Sequence, residues 1–130
     1  MSNLKAYLKP FPSDRTKTVF LDRFTDEEGK KIPFVVKTIP CGENERITEN
    51  CTDEKGKLRF AEYGDCMMVA CMVEPNIKET EICEYYGVMD PKDVPGQMFT
   101  IGEKQIIQDA IMEINDVKKA DDKIREAKNS

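Results

Sequence analysis

The stretch TKTVFLDRFTDEEGKKIPFVVKTI, residues 16–39, decides the fold class. Val19, Phe20, Leu21 and Phe24 precede, and Ile32, Phe34, Val35, Val36 and Ile39 follow, the polar turn Asp26-Glu27-Glu28-Gly29-Lys30. β-Branched and aromatic residues fit a pleated, half-buried surface, and two such runs around a Gly-containing turn predict a hairpin over 17–39. Pro33 has no N–H to give a ladder, which restricts it to a strand start or an edge. Upstream, residues 1–16 carry Pro10, Pro12 and scattered charges, with Leu4, Tyr7, Leu8 and Phe11 as the large apolar anchors. They read as a loosely attached arm.

Downstream the period changes from two to that of a helix. Gly42 to Lys57, with Ile47 and Cys51 as apolar positions, suggests a weakly amphipathic first helix. From Leu58 to Val73, the positions Phe60, Tyr63, Met67, Ala70 and Cys71 keep helical spacing, Met68 and Met72 widen the stripe, and Glu74-Pro75 stops it. Asn76 is placed to cap the next helix, with Glu79 in its first turn, Ile77, Ile82, Tyr85 and Tyr86 as apolar contacts, and Gly87 at a left-handed C-terminal end. Asp90-Pro91 opens a short turn ending near Pro95-Gly96. Thr100-Ile101-Gly102-Glu103 fits a capping box, followed by a long helix with the stripe Ile106, Ile107, Ala110, Ile111, Ile114 and Val117. Beyond it, residues 118–130 retain only Ala120, Ile124 and Ala127 as apolar positions, so this polar tail frays or awaits a partner. The expectation is one α+β domain over 17–117: a small N-terminal β-hairpin followed by a mostly helical bundle over 43–117.

A chain of 130 residues supports one hydrophobic core, and 39% hydrophobic with 35% charged residues describes a folded protein under a solvated surface. Acidic residues outnumber basic ones by 25 to 20, which repels phosphate backbones and argues against nucleic acid as a partner. Neither an apolar run of about 18 residues nor an N-terminal leader pattern is present, so the reading is a cytosolic protein with no membrane partner. Histidine is absent, which removes the Ser-His and Cys-His nucleophiles, the commonest general base and the commonest zinc ligand. Cys41, Cys51, Cys66, Cys71 and Cys83 are odd in number and irregularly spaced, and Cys66-x4-Cys71 would point its thiols to different sides of a helix. Asp26-Glu27-Glu28, Asp53-Glu54 and Asp121-Asp122 lack calcium-loop spacing and read as charged turns. No catalytic set, cofactor site or metal site is expected.

Seven methionines remain to be accounted for, and Met67, Met68, Met72, Met89 and Met98 fall around the two central helical elements. Thioethers fill irregular cores and also suit surfaces that re-pack around partners, so both readings stand.

The stretch Val73-Glu74-Pro75-Asn76-Ile77 through Glu84-Tyr85-Tyr86-Gly87-Val88 resembles a segment of the XkdN-like tail assembly chaperones of Gram-positive contractile-tail phages and PBSX-type prophages. Met98-Phe99-Thr100-Ile101-Gly102-Glu103 and Ile111-Met112-Glu113-Ile114-Asn115 are similar to the end of that family's sequence. Ser2-Asn3-Leu4, Leu8-Lys9-Pro10 and Arg23-Phe24 with Gly29-Lys30 and Pro33-Phe34 are similar to its beginning. Three positions depart from the pattern: Cys83 stands at a glutamine position, Ile101 at a proline, and Asn115-Asp116 replaces Asn-Gly.

The resemblance implies a non-enzymatic chaperone in the host bacterial cytoplasm that binds and solubilises the tape measure protein during tail morphogenesis and is absent from the mature virion. The tail tube protein and self-association are its further implied partners. Apolar contact positions proposed on this reading are Met67, Met68, Met72, Tyr85, Tyr86, Ile107, Ile111 and Ile114, each with ordinary core packing as the alternative. The rival functional reading is a structural tail or baseplate component retained in the particle. A DNA-mimicking inhibitor is disfavoured because Lys30, Lys31, Lys55 and Lys57 interrupt any continuous acidic face.

Overall fold

Thr16–Thr25 (β1) and Lys31–Lys37 (β2) form an antiparallel hairpin in the computed structural model, which describes residues 3–117. The turn between them closes on itself. Asp26 Oδ1 accepts from the backbone N–H of Glu28 and Lys30, at 2.9 and 3.0 Å, and Gly29 takes φ +81°, where a side chain would be strained. Val19 and Leu21 face inward on β1, and Phe24 faces inward again three residues later. An odd step reverses the face of a regular strand, so a register shift is required, and one lies between Phe20 and Thr25.

β2 is central in a three-stranded sheet of order β1-β2-β3, the third strand being Met72–Glu74. That strand lies in a region expected to finish a helix. The helix α3 spans Phe60–Cys71, and at Met72 the backbone becomes extended and pairs with Val36. Pro33 is thus the third residue of a central strand, against the expectation of a strand start or an edge. β3 pairs only with Val35 and Val36, so on that side of β2 no N–H is sought from Pro33.

A single helical turn α1 (Leu4–Tyr7) is fully exposed, whereas Thr38 ties residues 12–15 to the domain: its hydroxyl donates to the Pro12 carbonyl and its N–H to that of Arg15. Helix α2 (Cys41–Asn50) ends earlier than expected, because Asp53–Lys57 forms a second turn of the hairpin's kind. Asp53 Oδ1 accepts from the N–H of Lys55 and Lys57, and Gly56 takes φ +80°. Asn76 caps a turn rather than a helix, accepting from Lys78 N–H, and the helix α4 is short, Thr80–Tyr85. Asp90 caps a 3-10 helix over Pro91–Asp93, and Pro95 and Gly96, expected to end that turn, lie inside a further helix α5 (Val94–Met98).

Helix α6 (Ile101–Ile114) opens with the expected capping box: Glu103 N–H donates to Thr100 Oγ1, and Thr100 N–H to Glu103 Oε1. Its buried Ile107, Ala110 and Ile111 join Leu21 and Phe34 of the sheet and Met68 of α3 in one core. Each of these large side chains contributes about 1.5–3 kcal/mol through loss of contact with water. Phe24, Phe34 and Phe99 meet with ring centroids 5.0–5.9 Å apart. The polar tail expected over 118–130, with Ala120, Ile124 and Ala127, lies outside the described residues.

Candidate partner-binding surface

The eight apolar positions singled out from the sequence divide by burial. Met67, Met68, Met72, Ile107 and Ile111 are 0–5% exposed and belong to the core, so in this fold they hold sheet and helices together instead of facing outward. Ile114 and Tyr86 are half-buried against that core. Tyr85 alone stands out, 82% exposed.

Tyr85 is projected by the end of α4. Val88 N–H donates to the Cys83 carbonyl and Gly87 N–H to that of Glu84, with Gly87 at φ +67°; this six-to-one closure satisfies carbonyls the helix would otherwise orphan. Cys83 and the partly buried Ile82 and Val88 lie on the core side, and Tyr85 is left outside, packed edge-on against Tyr86 at 4.9 Å. Met89 follows and is fully exposed. Glu79, Glu81, Glu84, Asp90 and Asp93 lie close to Tyr85 and Met89 along the chain, all exposed, and none forms an ion pair with a described residue. The nearby Lys92 is committed to Glu62 at 2.8 Å.

The seam where β1 runs along α6 is charge-matched. Arg15 pairs with Asp116 at 3.0 Å, Lys17 with Glu113, and Arg23 with Glu103 at 2.7 Å, while Lys104 of α6 reaches Asp65 of α3 at 2.5 Å. Arg23 also donates to the Met98 carbonyl and lies 4.4 Å over the Phe24 ring. Its guanidinium holds the Glu103 carboxyl below the usual range. Residues from the two ends of the sequence resemblance therefore meet: Arg23-Phe24 of the hairpin clasps Phe99 and Glu103. At the far end, Asn115 accepts from Ile39 N–H and donates to the Ile111 carbonyl, stitching the exit of β2 to α6. Asp116, where the family pattern has glycine, takes φ +64°.

Two adjoining grooves of about 360 and 350 Å³ share Tyr63, Met67 and Met112 between α3 and α6, and Phe60 forms an exposed lip. A third, open groove of about 490 Å³ between α2 and α3 is lined by Cys51, Cys66, Glu62 and Lys92. Lys92 and Arg59 together pull the Glu62 carboxyl down to about 2. Burial pushes the Cys71 thiol up to about 12 and, with Cys51 beside it, the Cys66 thiol up to about 11. Among the described residues no three His, Cys, Asp or Glu side chains converge as metal ligands, and no helix is long and apolar enough to cross a membrane.

Met89 and Phe60 were not singled out as contact residues. Met89 carried a usable signal, since it lies between the left-handed Gly87 and the Asp90 cap, outside any helical stripe. Phe60 carried none, because it fits the spacing of the buried stripe.

The phage XkdN-like tail assembly chaperone family matches the chain over residues 4–128. The protein YqbN of Bacillus subtilis (strain 168) is 34% identical over 91 residues, covering 62% of this chain and 59% of that protein. The match thus spans less than two thirds of the relative. A crystal structure of the protein YqbN superposes with a TM-score of 0.70 at 25% identity, covering 85% of this chain and 93% of that one.

Proposed function

The chain belongs to the XkdN-like family of phage tail assembly chaperones, and from that premise we propose that it binds the tape measure protein and keeps it soluble in the host cytoplasm until the tail tube assembles. Family membership over nearly the whole chain is the observation that carries this reading. No catalytic step is involved. A long helical protein waiting for its tube exposes apolar stripes that aggregate unless covered. Tyr85 and Met89 supply apolar contact of the required kind, and the unmatched acids around them discriminate among partners and prevent self-aggregation.

Co-expression tests it directly. The soluble yield of the tape measure protein rises in the presence of this chain, and the complex persists at about 0.5 M salt, where charge is screened within a few ångströms but apolar contact is not. Tyr85→Asp with Met89→Asp removes the gain while circular dichroism stays unchanged. A tape measure protein that remains insoluble overturns the proposal. Stoichiometric retention of this chain in purified tails replaces it with the structural-component reading.

A further inference from the structure

Cys51 and Cys66 are brought together by the packing of α2 on α3. Cys51 is the residue that ends α2, 1% exposed, and its Sγ lies 3.9 Å from Sγ of Cys66 on α3. A disulfide brings its sulfurs to about 2.05 Å, so these two, already neighbours, must close further by rotation of their side chains. Cys66 is partly exposed and Cys51 buried, and both line the open groove that also holds the Glu62–Lys92 pair, so Cys66 is the more accessible of the two to a small reagent. One accessible thiol backed by one enclosed thiol is the arrangement of an attacking and a resolving cysteine. Cys41 is exposed but spends its S–H on Glu45 at 3.5 Å, and Cys71 and Cys83 are enclosed in the core.

We propose that Cys51 and Cys66 form a reversible intramolecular disulfide, with a small-molecule disulfide such as oxidised glutathione as the oxidant, which staples the end of α2 to α3. The Cys66 thiolate attacks one sulfur of oxidised glutathione, forming a mixed disulfide and releasing one glutathione thiolate. The Cys51 thiolate then attacks the Cys66 sulfur and releases the second. The two protein thiols lose two protons and two electrons, and the oxidant is reduced to two glutathione molecules. The staple crosses the Asp53–Lys57 turn and closes a loop from residue 51 to 66, so it restricts the unfolded chain more than the folded one. Because the thiolate is the nucleophile and the Cys66 thiol is held near 11, the reaction accelerates steadily as pH rises from neutrality.

The test is incubation of the intact, folded protein with oxidised glutathione, followed by mass spectrometry and peptide mapping. The expected result is a monomer lighter by two hydrogens, a single cross-linked peptide pair containing Cys51 and Cys66, and a higher unfolding midpoint that dithiothreitol reverses. Cys51→Ser is expected to arrest the reaction as a stable glutathione adduct on Cys66, and Cys66→Ser to leave Cys51 unmodified. The inference is overturned if wild type accumulates glutathione adducts without the cross-link, if the dominant product is a Cys41-linked dimer, or if the cross-link forms only in denaturant.

Discussion

The β1–α6 seam and the α4 tip draw on the same kinds of residue and finish in opposite states. Along the seam, Asp116, Glu113 and Glu103 each have a cationic partner, and Ile107 and Ile111 beneath them are buried. At the tip, five exposed carboxylates flank Tyr85 and Met89 in the chain without an ion pair to any described residue. A charge matched internally adds little to stability at this exposure, but its field is largely cancelled for a partner; an unmatched one costs the fold little in water and keeps its field for whatever approaches. On the proposed function, the difference separates what builds the domain from what is left over for recognition.

The comparison breaks most readily at the seam. Ile107→Ala should lower the unfolding free energy by about 2–5 kcal/mol, measured by denaturant titration, since it removes a fully buried side chain that α6 lays on the sheet. A loss below about 1 kcal/mol would mean the core there collapses without cost and the seam is not what holds the domain. Thr100→Ala should cost about 1 kcal/mol by removing the capping-box acceptor, with a matching drop in helicity.

Acid sharpens the contrast at the tie between the regions, where Glu62 bridges Lys92 beside the tip and Arg59 on the body. Its folded carboxyl titrates near 2 against an ordinary 4.5, so between those values the unfolded chain holds the proton and the folded one does not. The contribution is complete above about 4.5 and fades as pH falls towards 2, and Glu62→Gln should flatten that part of the stability profile. Tyr85→Ala with Met89→Ala should move stability by less than about 0.5 kcal/mol while abolishing partner binding. A large destabilisation would assign the tip to the fold and remove its claim to recognition.

Much of this was legible in the sequence. The hairpin, the capping box at Thr100 and the left-handed Gly87 are local devices whose signal lies within a few residues, and each appears where expected. The strand Met72–Glu74 was not legible, because Met72 continues the helical stripe of α3 and only the edge of β2, distant in sequence, draws it out of the helix. Asn76 looks like a helix cap in the sequence because an Asx turn and an N-cap share the same side-chain acceptor. The proposed contact residues are the least legible. Methionine fits a core and a flexible surface equally, so Met68 and Met89 look alike in sequence and differ entirely in exposure.

The clasp between Arg15 and Asp116 joins positions 101 apart, and that separation sets an order of events during synthesis. The hairpin turn, secured by Asp26 alone, can close as soon as it leaves the ribosome. The inner face of its sheet, with Leu21 and Phe34, is only partly covered once Met68 of α3 has emerged, and its cover is completed when Ile107 and Ile111 follow, some 70 or more residues after Phe34. At about 5–20 residues per second the young sheet stays incompletely covered for seconds, so a chaperone of this architecture has its own interval of exposed apolar surface before it can shield any other protein.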